Sequence, residues 1–440
     1  MSYRKIGDLI QLVDHRNKDL SITHLVGLTI NKKFIPSVAN TIGTDMTNYK
    51  LIRKNQFACS TMQVRRDKKM PIALLKELDI AIISQAYPVF EVIDENVILP
   101  DYLMLWFSRS EFDREACFHA VGGVRGSLEW EDFCGMKLPV PSIEEQREIV
   151  AQYHSIANKI KVNEQICEKL EATAQALYKH WFVDFEFPVS HCEERGTSHE
   201  AIPALVAEER SLYATKQKGY KSSGGKMVWN DELGKEIPEG WEVETLGEIC
   251  EKISSGSTPS GGKENYRKEG ISLIRSMNVY DLNFIYNDLA FIDETQAKKL
   301  SNVIIKEDDV LFNITGVSVA RCTMVPSDIL PARVNQHVMI IRSKENFKLN
   351  HYILFNLVSS DSKNQLLGVS QSGSTREAIT KSDIEGFSIL LPDLKLIDSF
   401  NSTVKITTKL INKIRKQNQK LTQLQSLLLS RLAVGEEVGA

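Results

Sequence analysis

Three features that the sequence lacks narrow its class before any motif is considered. It contains no run of about eighteen apolar residues and no apolar signal-peptide core within Met1–Leu12, so we expect a cytoplasmic chain without a membrane span. Its seven cysteines are an odd number with no CxxC spacing, which predicts reduced thiols. The net charge of −3 excludes a uniformly basic surface, so any nucleic-acid contact must be local.

The sequence also lacks the common catalytic motifs. It has no HExxH, GxSxG, EF-hand loop or Asn/Asp-Pro-Pro-aromatic string, and Ser222–Met227 is an incomplete phosphate-binding loop. His191, Cys192 and His199 lie close together, but their spacing fits no common zinc site. What remains is ordinary globular composition, 42% hydrophobic and 25% charged. We therefore expect a globular protein that is not itself a catalyst and holds no cofactor or metal.

The chain contains the same pattern twice. A single register kept over most of both halves predicts a tandem duplication of one unit of roughly 190 residues. In each copy, short β-branched runs with turn signals precede a proline and then a long helix, which predicts a mixed α/β unit. At an offset of 250 or 251 residues, the matching segments are Ser84-Gln85 with Asn335-Gln336, Leu99–Tyr102 with Leu349–Tyr352, and Gly122–Pro141 with Gly373–Pro392.

Each copy ends in a helix with an apolar repeat of 3.5 residues. This repeat is the seam of a coiled coil, and no proline interrupts it. At about 1.5 Å per residue, each helix would be on the order of 50 Å long. Amphipathic helices packed on their own domains are the alternative, although globular helices rarely run so long. The seam residues are Ile149, Tyr153, Ile156, Ile160, Asn163, Cys167, Leu170, Ala174, Leu177 and Trp181 in the first helix, and Phe400, Val404, Thr407, Ile411, Ile414, Asn418, Leu421, Gln425, Leu428 and Leu432 in the second.

Two matched helices in one chain are expected to pair with each other. In an antiparallel pairing that sets Ile149 opposite Leu432, the numbers of facing residues add to 581, and Asn163 faces Asn418. A single polar layer in an otherwise largely apolar seam sets the register, because any slipped alignment leaves amides unpaired. We therefore expect these two amides to meet.

The two helices differ in charge. From Ser399 to Arg431 the second helix has seven Lys or Arg and no Asp or Glu, whereas residues 149–181 hold four Lys and three Glu. A solvated face is the usual reason for such a charge run. A phosphate backbone or an acidic partner facing the second helix is the alternative.

Taken together, these features resemble the specificity subunit of type I restriction-modification enzymes. The start of the first helix, Leu138–Val150, and its end, Leu177–Phe185, are similar to that family's conserved regions. So is Gly234–Val243, which contains a Pro-Glu-Gly-Trp string. Ser255–Pro259 resembles the Gly-Thr-Pro turn that opens many target-recognition domains, a weak signal by itself. The resemblance covers essentially the whole chain.

The resemblance implies an architecture and a function. The expected fold is α/β, of the mixed α+β kind, with two globular target-recognition domains separated by an antiparallel two-helix coiled-coil stalk and related by pseudo-twofold symmetry. Each domain would read one half of a bipartite asymmetric DNA site, and the helices would set the spacer and dock methyltransferase subunits. The implied boundaries are 1–141 for target-recognition domain 1, 142–187 for conserved region 1 with its long helix, 188–391 for a linker (about 188–236) and target-recognition domain 2, and 392–440 for conserved region 2 with its long helix and C-terminal tail.

The implied partners are double-stranded DNA, two methyltransferase (M) subunits and restriction (R) subunits. Adenine methylation and ATP-dependent cleavage, with S-adenosylmethionine, ATP and Mg, would belong to those subunits and not to this chain. Two rival interpretations stay open. One is the recognition subunit of an enzyme that cuts on both sides of a bipartite site, which only the partner proteins distinguish. The other is a coiled-coil adaptor between proteins, for which DNA binding would be weak and insensitive to salt.

Residues that read DNA are expected on loops rich in cations or amides. Lysines mostly position the phosphate backbone, whereas arginines, with Asn or Gln, more often specify bases. For each lysine taken singly, an ordinary solvated charge is the alternative, but the clusters favour phosphate contact. The predicted DNA-binding residues are Lys32, Lys33, Arg53, Lys54, Arg65, Arg66, Lys68, Lys69 and Arg125 in the first copy, and Lys263, Arg267, Lys268, Arg275, Asn278, Arg321, Arg333, Ser374 and Arg376 in the second.

Two elements among these candidates occur in both copies. A Gly-x-x-Arg element ends in Arg125 and again in Arg376. A shared element cannot easily encode two different half-sites, which favours a phosphate contact or a structural turn over base readout. For the same reason, Gln85 and Gln336 are expected to be satisfied structural amides.

Overall fold

The computed structural model describes two compact units of the chain. The first unit comprises Met1–Glu164 and Lys416–Ala440, and the second comprises Gln165–Arg415. Each unit therefore holds one globular lobe and one stretch of both long helices. The structure describes residues 2–37, 44–122, 126–188, 219–257, 266–371 and 378–432.

The first lobe is built around a four-stranded antiparallel sheet with the strand order β2-β9-β6-β7. Phe57 and Phe90 face each other across this sheet and stack 5.0 Å apart, and Phe107 packs edge-on against both rings. Its strands are β1 (Ser2–Lys5), β2 (Ile10–Val13), β3 (Val26–Leu28), β4 (Phe34–Pro36), β5 (Lys50–Arg53), β6 (Phe57–Cys59), β7 (Ile72–Leu74), β8 (Ile80–Ile83), β9 (Val89–Val92) and β10 (Lys137–Val140). Its helices are α1 (Val64–Asp67), α2 (Pro100–Phe107), α3 (Ser110–His119) and α4 (Trp130–Gly135).

The second lobe repeats this sheet as β14-β22-β19-β20, again antiparallel. A second sheet, β18-β15-β21, contains the parallel pair β15-β21. The lobes are therefore of the mixed α+β kind. The strands are β11 (Met227–Asn230), β12 (Lys235–Pro238), β13 (Glu242–Thr245), β14 (Cys250–Ser255), β15 (Ile271–Ile274), β16 (Val279–Tyr280), β17 (Asn283–Phe284), β18 (Ala290–Ile292), β19 (Val310–Asn313), β20 (Cys322–Met324), β21 (Ala332–Val334), β22 (Val338–Ser343) and β23 (Ser388–Leu391). The helices are α6 (Leu246–Ile249), α7 (Glu294–Lys299), α8 (Asn350–Val358), α9 (Ser360–Gln371) and α10 (Lys381–Glu385). The label α5 belongs to the first long helix, which is described below.

The duplication is visible in individual hydrogen bonds. In the first lobe β1 pairs with β10, and the buried Tyr102 hydroxyl donates to Pro139 O at 3.1 Å. In the second lobe β13 pairs with β23, and the buried Tyr352 hydroxyl donates to Leu390 O. Both bonds attach a lobe helix to the strand that precedes a long helix. The repeat found in the sequence is therefore a repeat of the fold.

The conserved-looking start of the first long helix has a structural role. Ser142 and Glu145 form a reciprocal cap, in which Glu145 N donates to Ser142 Oγ at 3.3 Å and Ser142 N donates to Glu145 Oε2 at 2.9 Å. Gln146 is fully buried, and its amide donates to Val97 O and Pro141 O at 2.9 and 3.0 Å. This amide ties the helix to the lobe.

The second unit shows the structural role of the Pro-Glu-Gly-Trp string. Gly240 adopts a φ of +85°, in the left-handed region that favours glycine. Trp241 is then buried against Phe182, Phe185 and Phe187 at the end of the first long helix, with ring centroids 6.1, 5.6 and 5.2 Å away. Two separate segments that carried the family resemblance therefore meet in one aromatic cluster.

The long helices are α5 (Ile143–Tyr178) and α11 (Leu394–Arg431), of 36 and 38 residues. A π-helical turn, Lys179–Val183, extends the first. All twenty predicted seam residues are buried or half-buried, as an apolar seam requires. Among the described residues, no helix is long and apolar enough to span a membrane.

The polar layer of the seam lies in the first unit. Asn163 is 2% exposed, and its Nδ2 donates to Asn418 Oδ1 at 2.7 Å. Asn418 Nδ2 donates in turn to Ile160 O at 3.2 Å. The two amides therefore meet where the antiparallel alignment predicted from the sequence puts them.

The seam of the second unit is apolar and also antiparallel. Trp181 lies 6.1 Å from Phe400 between ring centroids, and Cys167 contacts Ile411 O at 3.9 Å. The earlier residue of the first helix therefore has the later partner in the second helix, as an antiparallel pair requires. Two cations of the charge run are used within this unit. They are Lys405, 2.6 Å from Asp308, and Arg415, which pairs with Glu171.

Candidate nucleic-acid interface

The loop between β6 and β7 (residues 60–71) lies beside Gly122 and residues 126–128 of the first lobe. Leu128 N donates to Thr61 O at 2.9 Å, and Arg65 N donates to Gly126 O at 3.4 Å. The Arg65 guanidinium donates to Gly122 O at 3.2 Å. Two segments distant in sequence are therefore joined, and the loop that carries the cations lies next to Gly122 and Gly126.

This β6–β7 loop carries the short helix α1 between two left-handed residues. Gln63 has a φ of 63° and Lys68 a φ of 52°, conformations that cost free energy for a residue with a Cβ and that cluster at functional sites. Asp67 receives two hydrogen bonds from Arg66, at 2.7 and 3.1 Å, which lower the pKa of the carboxyl and keep it ionised. One acid therefore faces four exposed cations, Arg65, Arg66, Lys68 and Lys69.

Three exposed apolar side chains belong to this loop or to the end of α3 and the residues after it, and sequence reasoning missed them. Met62, Phe118 and Val121 are 51%, 80% and 58% exposed. The Cys117 thiol donates to Val64 O at 3.4 Å and so holds the end of α3, with Phe118, against α1. The sequence-based prediction of DNA-binding residues was limited to cations and amides. An aromatic residue close to a Gly-rich loop could have indicated this apolar surface.

The loop between β19 and β20 (residues 314–321) occupies the same place in the second lobe. Ile379 N donates to Ile314 O at 2.9 Å, which repeats the bond from Leu128 to Thr61. Gly316 has a φ of +69°, like Gln63 in the first lobe. The residue that follows, Val317, is 96% exposed, whereas its counterpart Val64 is fully buried.

Polar groups and a cation lie beside the β19–β20 loop. The Arg321 guanidinium lies over the Tyr280 ring, 4.6 Å from its centroid. Thr315 Oγ1 and His337 Nδ1 are 2.7 Å apart, and Gln336 Nε2 is 3.1 Å from His337 Nε2. Gln336 is exposed, as is Gln85 of the first lobe, and the expectation that both are satisfied structural amides stays a prediction.

Lys32 was predicted to contact DNA, and the structure uses it internally. Its ammonium pairs with Asp113 at 2.8 Å, donates to Phe107 O and lies 5.0 Å from the centroid of the Phe112 ring. Burial lowers the pKa of this lysine, and the Asp113 carboxylate opposes the shift. The left-handed backbone at Lys32, with φ at 60°, turns the side chain into the lobe.

Asn278 is a second correction. It is fully buried, its Nδ2 donates to Ile285 O and Asn287 O at 2.9 and 3.3 Å, and its Oδ1 accepts from Arg275 N at 3.1 Å. An amide whose donors and acceptor are engaged inside the lobe cannot read a base edge.

Three predicted arginines of the second lobe are partly engaged. Arg267 pairs with Asp293 at 2.9 Å. Arg275 is half-buried, donates to Asp288 O and lies over the Tyr266 ring. Arg333 is half-buried and donates to Ala332 O at 2.9 Å. Each would have to exchange one of these contacts for DNA.

The remaining predicted residues are exposed or lie outside the described residues. The structure does not bring Lys33, Arg53, Lys54 and Lys268 into contact with the two loops. They are exposed, and Lys54 Nζ is 3.7 Å from Asp79. Arg125, Lys263, Ser374 and Arg376 lie outside the described residues.

Among the described residues, no group of three or more His, Cys, Asp or Glu is arranged to hold a metal ion, and no disulfide joins the cysteines. His191, Cys192 and His199 lie outside that part of the chain.

The duplicated lobe and its long helices match a known family. The sequence matches the type I restriction modification DNA specificity domain over residues 2–172 and again over 238–425. The chain belongs to this family. The specificity family accounts for both halves of the duplication and for most of both long helices.

Individual proteins that are similar to this chain are also specificity subunits. The MjaIX type I restriction enzyme specificity subunit of Methanocaldococcus jannaschii is 28% identical over 352 residues, covering 78% of this chain and 71% of the relative. The HindI specificity subunit of Haemophilus influenzae is 24% identical over 462 residues, covering 98% of each. The solved S subunit of a type I restriction-modification system from M. genitalium has a TM-score of 0.56 at 12% identity, covering 98% of this chain and 96% of that one, and shows the same fold.

The family resolves the alternatives that the sequence left open. The resemblance, the mixed two-lobe fold and a function as the DNA specificity subunit of a type I system are confirmed. Neither the enzyme that cuts on both sides of a bipartite site nor the coiled-coil adaptor is favoured, and a role in DNA recognition rather than catalysis follows from the specificity family.

Proposed function

We propose that each lobe reads one half of a bipartite, asymmetric DNA site. The observation that carries this proposal is the pair of equivalent loops. The β6–β7 loop and the β19–β20 loop are anchored by the same backbone hydrogen bond, from Leu128 to Thr61 and from Ile379 to Ile314. Equivalent frames with different exposed side chains suit two different half-sites, because base edges are distinguished by the chemistry of the side chains that reach them.

In the first lobe, the β6–β7 loop contacts the phosphate backbone through Arg65, Arg66, Lys68 and Lys69, and Arg125 contributes a further phosphate contact. In the second lobe, Arg321 leads, and Arg376 and Ser374 follow from the equivalent element. The exposure of Arg65, Arg66, Lys68 and Lys69, and the hydrogen bond from Arg65 to Gly122 O, support this assignment in the first lobe, whereas Arg321 is half-buried over the Tyr280 ring. Lys33, Arg53, Lys54, Lys263, Arg267, Lys268, Arg275 and Arg333 extend the two contact surfaces.

The long helices set the spacer between the half-sites and dock two methyltransferase subunits, which restriction subunits then join. Lengths of 36 and 38 residues and a polar layer at Asn163 and Asn418 support a helix pair of defined register. A defined register gives a defined spacer.

Chemistry belongs to the partners in this proposal. Adenine methylation with S-adenosylmethionine, and cleavage that needs ATP and Mg, reside in the methyltransferase and restriction subunits. This chain holds no cofactor and works in the cytoplasm. This division between a recognition subunit and catalytic partners rests on what membership of the specificity family implies, not on a site in this chain.

A genome-wide map of adenine methylation tests the proposal. Cells would express this chain with the methyltransferase subunit of its own system, and a second culture would express the methyltransferase subunit alone. One split motif, present only in the first culture, is the expected result. Methylation at a contiguous motif, or the same motif in both cultures, would overturn the proposal.

Salt dependence gives a second readout on the assembled complex. If the loops bind phosphates, the affinity for a DNA that carries the split motif falls steeply as salt rises, because phosphate contacts release counterions. A weak affinity that does not change with salt would contradict it.

A further inference from the structure

Val317 is the most exposed large apolar side chain among the described residues, at 96%. A single exposed valine is ordinary on a protein surface. What distinguishes this one is its place in the middle of the 3-10 helix Gly316–Ser318, on the loop proposed to face DNA. Its counterpart in the first lobe, Val64, is fully buried, so the exposure is not a property of the shared frame.

Loop length explains the difference between the two valines. The β6–β7 loop has twelve residues and the β19–β20 loop has eight. The additional residues of the longer loop complete α1, which packs Val64 against the end of α3, where Cys117 donates to Val64 O. The shorter loop has no such helix, and its valine is left on the outside.

The shorter loop holds Val317 on an ordered backbone. Ile314 N donates to His337 O at 3.1 Å, Val319 N donates to Gly316 O at 2.9 Å, and Ala320 N donates to Asn313 O at 2.9 Å. A β-branched side chain has few χ1 choices, so an ordered backbone also positions its methyl groups. The loop therefore presents a small apolar surface in a defined place.

The neighbours of Val317 indicate what it contacts. Gly316 and Ser318 flank the valine, and the Arg321–Tyr280 pair lies at the end of the same loop, so among the described residues Val317 has polar groups and a cation as its neighbours along the loop. A protein partner that binds through burial of apolar surface needs a contiguous patch. The major groove of DNA offers the matching arrangement, because the C5-methyl of thymine is an apolar group among polar base edges.

We propose that Val317 helps determine the specificity of the second lobe by contacting the C5-methyl group of a thymine in its half-site. This inference rests on the proposed function, in which the second lobe reads one half of a split DNA site. It assigns a base preference to a residue that has no hydrogen-bonding side chain.

Deoxyuridine tests the contact directly, because it differs from thymidine only by the missing methyl group. Each thymine of the second half-site is replaced in turn, and the affinity of the assembled methyltransferase complex is measured at fixed salt. With the unchanged chain, one replacement is expected to weaken binding about fourfold, the effect of losing one methyl-sized apolar contact. With Val317→Ala, binding to the thymine site weakens similarly, and the thymine–uracil difference falls to near onefold.

A matched variant shows that the effect belongs to this valine. Ile93→Ala removes an aliphatic side chain that is 55% exposed on the first lobe, outside both loops and both long helices, and it should keep the fourfold difference. An equal thymine–uracil difference in Val317→Ala and in the unchanged chain would overturn the inference, as would a second half-site in which no thymine responds. Failure of the unmodified split site to bind at all would instead refute the proposed function.

Discussion

The two lobes place different chemistry at equivalent positions of the same sheet. In the second lobe, Asp309 and Arg342 form a buried ion pair with two hydrogen bonds of 2.6 Å. In the first lobe, the equivalent residues are Gln56 and Glu91, joined by one hydrogen bond of 2.8 Å. Each pair sits beside the same cross-strand partners, which are Phe57 with Phe90 and Val310 with Ile341.

This comparison separates the residues that build the frame from those free to diverge. The apolar cross-strand partners and the Tyr102 and Tyr352 hydroxyl bonds recur in both lobes. The polar pairs, the loop lengths and the exposed side chains do not. Two copies of one frame can thus acquire different surfaces, since a surface side chain is not held by the packing that defines the sheet.

The largest expected effect is the loss of local stability when one partner of each polar pair is replaced. Arg342→Met leaves the Asp309 carboxylate, which has no exposed surface, without its cation and should cost about 3–5 kcal/mol of local stability. Glu91→Met leaves the neutral amides of Gln56 and Gln11 without this acceptor and should cost about 1–2 kcal/mol. Hydrogen exchange of the β19 and β22 amides in one variant, and of the β6 and β9 amides in the other, measures both. Equal losses would show that the ion pair is no more demanding than the amide pair.

Acid should destabilise the second lobe through His351, which takes the place of Asp101 in the first. Burial holds the pKa of His351 at about 4, below its ordinary 6.5, and the neighbouring Lys405 and Lys409 lower it further while Asp308 raises it. The unfolded chain takes up this proton near pH 6.5, so the contribution is complete above pH 6.5 and is lost as pH falls toward 4. The loss is about 3 kcal/mol.

Hydrogen exchange of α8 between pH 7.5 and 4.5 measures this loss, with exchange rates corrected for their own pH dependence. His351→Gln cannot take up a proton and should flatten the profile of the second lobe. The first-lobe helix α2, in which Asp101 pairs with Lys76 at 2.8 Å, serves as the internal comparison. An unchanged profile in His351→Gln would remove the histidine as the cause.

The cations of the β6–β7 loop should contribute to affinity for the first half-site. Replacing Arg65, Arg66, Lys68 and Lys69 with serine is expected to weaken DNA binding about 10- to 100-fold, or about 1.4–2.8 kcal/mol. The slope of log affinity against log salt should become less steep by about 3–4, since each of the four lost phosphate contacts contributes roughly 0.9.

The control for this loop replaces Lys298 and Lys299, which are exposed on α7, with serine. It should leave both affinity and salt slope nearly unchanged. If the loop variant also keeps its salt slope, the β6–β7 loop does not contact phosphates, and the two loops are not equivalent in function.

The smallest expected effect concerns the seam, which is polar at Asn163 and Asn418 in the first unit and apolar at Cys167 and Ile411 in the second. Asn163→Leu leaves the Asn418 amide without its partner and should cost about 1 kcal/mol. Replacing both residues with leucine should recover most of that loss, because the unpaired polar group is removed as well. Urea unfolding of the two single variants and the double variant gives the coupling, and strictly additive losses would show that the two amides do not act as a pair.

Sequence reasoning reached the features that depend on local pattern or on self-comparison. The duplication followed from an offset of 250 or 251 residues, the two long helices and their twenty seam positions followed from periodicity, and the facing of Asn163 and Asn418 followed from the constant sum of an antiparallel pairing. These features were accessible because a helix repeats every 3.6 residues and a duplicated chain can be aligned with itself.

Burial of particular side chains was decided only by the tertiary structure. Nothing in the local sequence of Lys32 indicates that Asp113, far along the chain, receives it, or that Asn278 turns inward to Ile285 O. In the same way, Val64 and Val317 follow equivalent left-handed residues, yet only Val317 is exposed, because a difference in loop length decides whether α3 covers the side chain. The sequence by itself thus determined the repeated frame and its helices, and the tertiary structure decided which side chains reach the surface, since exposure depends on segments that meet only after folding.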